Sequence, residues 1–262
     1  MKKVALVTGG TKGIGLATAN ALNKAGVTVY ILSRRPADIP GLHHIVCDVS
    51  DEKQARASVE AVFEKEGRLD ILINNASLVI SGALEFTENA DAKRLMEINF
   101  YGVVNTTRAA LPLMRAQGAG RIVNISSVAG SIPVPFHAWY SVSKAALAAY
   151  TFGLFNEVKQ MGISACVVIP GDTKTNPFRE KVTAGGTVYN GRIARSVTRM
   201  EKDEKNGMDP NFVGRSIAKI ALKKHVKPTY AVGLLYKVFL MLWRLLPVRL
   251  AGYIVGRMYS GE

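Results

Sequence analysis

Tyr140 and Lys144 stand four residues apart in the stretch HAWYSVSKAAL (137–147). Four residues is about one helical turn, so the two side chains would share a face. A phenol ordinarily loses its proton near pH ~10, and a neighbouring cation favours the ionised form. Such a pair could therefore pass a proton to and from a substrate oxygen. The same spacing also describes an ordinary helix surface, and the stretch alone does not decide between them. A second chemical signal lies at the start of the chain, in VTGGTKGIG (7–15). Its glycines permit a tight turn and close approach of backbone to a pyrophosphate. A helix beginning there would turn free N–H groups and the positive end of its dipole toward that anion. Gly9, Thr11, Lys12, Gly13, Ile14 and Gly15 are the candidate phosphate-loop residues.

These groups need a scaffold, and the hydrophobic pattern describes one. Short apolar runs at 4–8, 27–33, 43–50, 69–76, 120–127 and 163–171 read as buried strands, and 228–233 as a last short strand. Helical patterns occupy 13–26, the stretch DEKQARASVEAVFEKEG after Ser50, about 87–116, the segment around Tyr140, and 208–224. Ser50 is placed to cap the second of these. Strands alternating with helices predict an α/β domain with a mostly parallel sheet covered on both faces. Residues 1–232 form that domain. Within it, 172–207 is polar and weakly patterned and reads as a loop or lid.

Composition narrows the function classes. The chain has 262 residues, enough for a single large domain with a sizeable core. Its two cysteines, Cys47 and Cys166, are far apart in apolar runs, which fits inert thiols in a reducing compartment. The opening MKKVALVTGG mimics a signal peptide, but its apolar run is too short and ends in glycines. His43-His44 lacks a carboxylate or cysteine at ligand spacing, so no metal site is expected. The formal charge is +14, and no Asp or Glu occurs between Pro210 and Gly261. Such a basic segment invites an acidic partner. Its cations alternate with large aliphatics rather than polar groups, so nucleic acid is not expected.

The glycine spacing, G-x-x-x-G-x-G, resembles that of the short-chain dehydrogenase/reductase family. TGGTKGIG (8–15), Asp48-Val49, NNA (74–76), Asn99, NISS (124–127), YSVSK (140–144) and PGDTKT (170–175) follow in the family's order. The resemblance spans about residues 1–232 and implies a Rossmann-type, doubly wound sheet of seven strands. It implies that Tyr140 is the general acid/base and Lys144 its partner and ribose ligand. Ser127 would polarise the carbonyl, and Asn99 would interrupt a helix and order a water relay to Lys144. Asp48 and Val49 would contact the adenine, and Asn75 and Ala76 the cofactor's middle. Pro170, Gly171, Thr173 and Thr175 would hold the nicotinamide carboxamide. An NAD site usually carries an acid after the second strand. This chain has Ser33 and Arg34 there, with Lys12 nearby, which favours NADP(H). Ser77 replaces the glycine that often follows NNA in the family.

The expected activity is interconversion of a carbonyl and a secondary alcohol, on a bulky hydrophobic substrate such as a steroid, retinoid or lipid. A 3-oxoacyl thioester on an acidic carrier protein is the alternative, and a non-catalytic NADP-binding scaffold a third reading. Phe136, His137 and Trp139 are candidates to line the substrate cleft. The tail, 233–262, predicts two short amphipathic helices, about 233–246 and 248–258, broken at Pro247. With Trp243, Tyr253 and Tyr259 it fits either a helix pair on a membrane surface or a cover over the cleft or a subunit interface. A cytoplasmic homodimer or homotetramer, at most peripheral on a membrane, is the expected setting. The tail lacks the DGG-like ending found in many soluble members, so their tetramer contact is not assumed.

Overall fold

The fold comes from a computed structural model that describes residues 2–175 and 179–259. Residues 176–178 of the expected lid and 260–262 of the tail lie outside the described residues. β1 (Val4–Thr8) is followed by α1 (Gly13–Lys24), β2 (Thr28–Ser33), β3 (His43–Val46), α2 (Glu52–Glu66) and β4 (Ile71–Asn74). Then come β5 (Val79–Ser81), α3 (Asn89–Met96), a π-helical turn (Glu97–Tyr101), α4 (Gly102–Gln117) and β6 (Gly120–Ile125). α5 (Ala138–Val158), β7 (Ile163–Pro170), β8 (Arg179–Lys181) and α6 (Arg192–Lys205) follow. α7 (Pro210–Ala221), β9 (Thr229–Val232), α8 (Leu234–Trp243) and α9 (Val248–Tyr259) close the chain.

Seven strands form one sheet in the order β3-β2-β1-β4-β6-β7-β9, and every pairing is parallel. Alternation along the strands builds two cores, one on each face. Ala5, Val7, Ile71 and Ile73 pack with Leu22 of α1 and Val213 and Ile217 of α7. Val4, Leu6 and Leu72 pack on the other face with Val59 of α2, Met114 of α4 and Leu154 of α5. The expected doubly wound α/β sheet is therefore present. Strand order reverses on either side of β1, and in such sheets the ligand crevice opens at the carboxyl ends of the strands around that point.

Two local expectations are corrected. Asp51, not Ser50, caps α2: its carboxylate accepts from the Lys53 and Gln54 amides. Ser50 instead bonds the Asp48 carboxylate, its hydroxyl at 2.6 Å. The stretch 172–207 is not all loop. β8 pairs in parallel with β5 as a small second sheet, and α6 buries Ile193, Ser196, Val197 and Met200. Those four lie on one face of a helix whose remaining positions are mostly charged.

Candidate active site

The cleft begins at the glycine loop. Gly9 and Gly13 have φ of 64° and 54°, a left-handed backbone that other L-residues adopt only with strain. A Cβ on Gly9 would lie 2.9 Å from the Ala76 Cα. α1 starts at Gly13 without a side-chain cap and with no acid in its first turn. Its leading N–H groups are thus available to an anion, and the loop fits a dinucleotide pyrophosphate. Asn75 serves this loop from behind, its amide donating to the Thr8 and Gly9 carbonyls at 3.1 and 3.2 Å. The neighbouring Asn74 is buried and donates to Asn124 across the β4–β6 pair at 2.8 Å.

Lys12, Gly13, Ile14, Asn75, Ala76, Ser127, Tyr140, Lys144, Pro170, Gly171, Thr173 and Thr175 all line a single cavity of about 610 Å³ with Gly9. The remaining candidates do not line it. Asp48 is engaged in its own turn with Ser50, and Val49 is packed in the core against Gly102. The Ser33 hydroxyl donates to the Arg35 carbonyl and meets His44 Nε2, both at 2.8 Å. Arg34 is exposed beyond it. Ser33 is the last residue of β2 and Arg34 follows it, while Asp48 and Val49 come after β3, on the glycine-loop side of β1.

Ser127 begins the turn that follows β6, and α5 carries Tyr140 and Lys144. Lys144 is 2% exposed. Its ammonium donates to the Ile125 carbonyl at 3.0 Å and stands 5.6 Å from the Tyr140 ring centre. Burial pushes its pKa down to about 8. Burial likewise pushes the Tyr140 phenol up to about 12, while the Ser127 and Ser77 hydroxyls and Arg179 pull it the other way and Glu204 adds to the rise. Desolvation is the largest of these influences on the phenol. Ser77, the departure from the family pattern, puts a hydroxyl beside the phenol.

Asn99 is fully buried in the π-helical turn that separates α3 from α4. Its carbonyl accepts from the Leu78 amide at 2.7 Å, and its amide donates to the Leu78 carbonyl at 2.9 Å and to Ser143 Oγ at 3.0 Å. The helix is interrupted where the resemblance implied, and the side chain locks the NNA loop to α5. His137 lines the cleft. Its ring lies 4.7 Å from that of Tyr140 and its Nδ1 is 3.0 Å from Ser81 Oγ. Burial holds the imidazole neutral, its pKa lowered to about 3.

The other wall was not foreseen in this form. Phe136 and Trp139 do not line the cleft: Phe136 meets Tyr189, and Trp139 packs with Leu78, Ile80 and Leu95. Their place is taken by Met200 of α6 and by Tyr236, Phe239, Trp243, Val255, Met258 and Tyr259 of the tail helices. The Tyr236 ring lies on Gly171, where a Cβ would come within 2.2 Å of it. Its hydroxyl donates to Asp172 at 2.9 Å. Of Trp243, Tyr253 and Tyr259, the first and last thus line the cleft, while Tyr253 is exposed. Among the described residues no group of His, Cys, Asp and Glu could hold a metal ion.

A glycine-rich turn at the crevice of a doubly wound parallel sheet, with a tyrosine and a lysine one turn apart beside it, defines a dinucleotide-binding α/β oxidoreductase architecture. The chain belongs to the short-chain dehydrogenase family, whose model matches residues 3–185. It is 37% identical over 241 residues to a 3-ketodihydrosphingosine reductase of Bacteroides thetaiotaomicron, covering 90% of each chain. A short-chain dehydrogenase from Streptomyces avermitilis superposes with a TM-score of 0.83 at 29% identity, over 92% of this chain and 91% of that one. The structure of ElxO with NADP bound superposes with a TM-score of 0.76 at 27% identity, over 91% and 100%. The chain is therefore an oxidoreductase of the CH–OH/C=O class. α6, α7 and the tail lie beyond the part that the family model matches.

Proposed function

We propose that the protein is an NADPH-dependent reductase of a long-chain, lipid-like ketone. The observation that carries this is the single cavity joining the glycine loop, Tyr140 and the apolar inner face of the tail. The NADP-bound relative and the reductase named above support the cofactor and the lipid class. Gly9, Thr11, Lys12, Gly13, Ile14 and Gly15 would hold the pyrophosphate, and Arg34 with Lys12 the 2′-phosphate. Asn75, Ala76, Pro170, Gly171, Thr173 and Thr175 would line the rest. When bound, NADPH supplies a hydride to the carbonyl carbon. Tyr140 gives its proton to the carbonyl oxygen as the C=O π pair moves onto it. Ser127 donates a hydrogen bond to the same oxygen. Lys144, fixed by the Ile125 carbonyl, would favour the tyrosinate and hold the ribose hydroxyls. Asn99 keeps Leu78 and Ser143 in register behind them.

The outer face of the tail supports a second part of this reading. Leu234, Leu245 and Val248 are 78, 76 and 87% exposed, and Lys237, Arg244, Arg249 and Arg257 are exposed around them. No acid occurs between Pro210 and Gly261 to offset these cations, so the face suits an anionic bilayer from which a lipid ketone could enter the cleft. No described helix is long and apolar enough to cross a membrane. Self-association belongs to the same proposal, through the exposed Val142 and Phe152 of α5. The test of function follows NADPH absorbance with long-chain ketones, steroids and 3-oxoacyl thioesters. Turnover of the long-chain ketones above the others is expected. Preference for thioesters would favour the carrier-protein alternative, and no turnover of any would favour a scaffold.

A further inference from the structure

His137 caps the start of α5, one turn before Tyr140, and its hydrogen bonds fix which ring nitrogen carries the proton. Nδ1 meets the Ser81 hydroxyl at 3.0 Å, and Arg179 Nη1 donates to the same Ser81 oxygen at 2.9 Å. Ser81 is fully buried, and among the described residues its hydroxyl hydrogen has no other acceptor. A buried hydroxyl that donates to nothing is costly. Ser81 therefore donates to Nδ1, and the ring proton sits on Nε2. The same count excludes a doubly protonated ring. That ring would set a second cation against a hydroxyl already facing Arg179 and leave the hydroxyl hydrogen without an acceptor. Burial and the Arg179 charge also favour the neutral imidazole.

His137 lines the cavity, and among the described residues its Nε2 has no protein partner and is not sealed from that cavity. Val79, Ile132, Val134 and Met200 line the same space. The charged groups nearby are engaged elsewhere: Lys144 with the Ile125 carbonyl, and Arg179 and Glu204 with each other. The neutral ring thus offers the cleft one donor, Nε2–H, and no acceptor. It stands beside the phenol, with ring centres 4.7 Å apart.

We propose that His137 is a specificity-determining residue whose Nε2–H donates to a second, accepting oxygen on the substrate, about two or three carbons from the carbonyl that Tyr140 protonates. Ser81 and Arg179 are positioning residues that hold the ring in this tautomer. The proposal rests on the reductase reading above and specifies what its substrate carries. A methylene in place of that oxygen leaves a buried donor unpaired, so a loss of about tenfold in kcat/KM is expected.

The test compares long-chain ketones of one length: an ether oxygen replaces a methylene at either of those two positions, or at neither. Wild type should prefer one of the ethers about tenfold over the plain ketone. His137→Phe keeps the ring beside Tyr140 but removes the donor, and should collapse that preference. His137→Gln keeps an N–H and should restore part of it. No preference for either ether in wild type, or the same preference in His137→Phe, would overturn the proposal. A second readout needs no turnover. In histidine labelled with nitrogen-15, the signals lost in His137→Gln should show an unprotonated Nδ1 and a protonated Nε2, unmoved between pH 5 and pH 8. A proton on Nδ1, or titration in that range, would overturn it too. Should no ketone turn over at all, the reductase reading falls separately. The His137 Nε2–H signal of NADP-loaded protein is then followed on addition of 1-methoxyhexane. A shift supports a donor to an accepting oxygen, and an unmoved signal ends the proposal.

Discussion

Replacing Asn99 with alanine isolates what its side chain does in the fold. Three hydrogen bonds are lost, and two of them serve the amide and carbonyl of Leu78, a residue 2% exposed. Each buried backbone group left without a partner costs about 1–3 kcal/mol. Water entering the vacated space would recover part of this, so a loss of about 3 kcal/mol is expected for the pair. In a chain of this size about 1 kcal/mol lowers Tm by about 2–4 °C. Thermal unfolding followed by circular dichroism should therefore show Tm falling by about 6–12 °C. Ligand-free protein is used, so that no catalytic role enters the reading. Asn99→Asp keeps the acceptor for the Leu78 amide and should fall between wild type and alanine. A Tm within 2 °C of wild type for Asn99→Ala would refute the reasoning, showing that the NNA loop does not depend on this side chain.

Arg34→Ala should weaken NADP binding about tenfold or more and leave NAD binding nearly unchanged, measured by fluorescence titration with each cofactor; equal losses would remove Arg34 from the 2′-phosphate site. Lys144→Met should be more stable than wild type below pH 8, by about 3 kcal/mol at most, because the wild-type amine is then charged and buried. Between pH 8 and 10.5 the unfolded chain binds a proton that the folded chain does not, so wild-type stability rises and the difference should fade; a Tm difference independent of pH would count against a buried charge at Lys144. Full-length protein should sediment with anionic liposomes and not with neutral ones, and Lys237→Glu with Arg244→Glu should abolish sedimentation; liposome binding unchanged in that double variant would place the contact elsewhere.

The chemistry was more legible than the walls around it. Glycines with positive φ, a capless helix start and a Tyr–Lys spacing are local features, so each could be read from a few neighbouring residues. The central strands were legible for a related reason: they are buried on both faces and therefore continuously apolar. β8 carried no such signal, since Arg-Glu-Lys becomes a strand only by pairing with Val79–Ser81 about a hundred residues away. α6 did carry a stripe, Ile193, Val197 and Met200, but charged neighbours diluted it. The tail helices were placed to within a few residues, yet their inner face could not be assigned. That Tyr236 lies on Gly171 and that Trp243 turns inward are properties of packing between segments distant in sequence. The same holds for Ser77 beside the phenol.

The most direct test of the central claim is the rate of NADPH oxidation by Tyr140→Phe with a long-chain ketone, set beside the dissociation constant of NADPH for the same variant. The substitution removes the transferable proton and keeps the ring against His137 and under Lys144. General acid catalysis of this kind contributes about 10²–10⁴-fold. The account predicts a rate lowered by at least about a hundredfold with NADPH affinity within about threefold of wild type. A Tyr140→Phe rate within tenfold of wild type would contradict it.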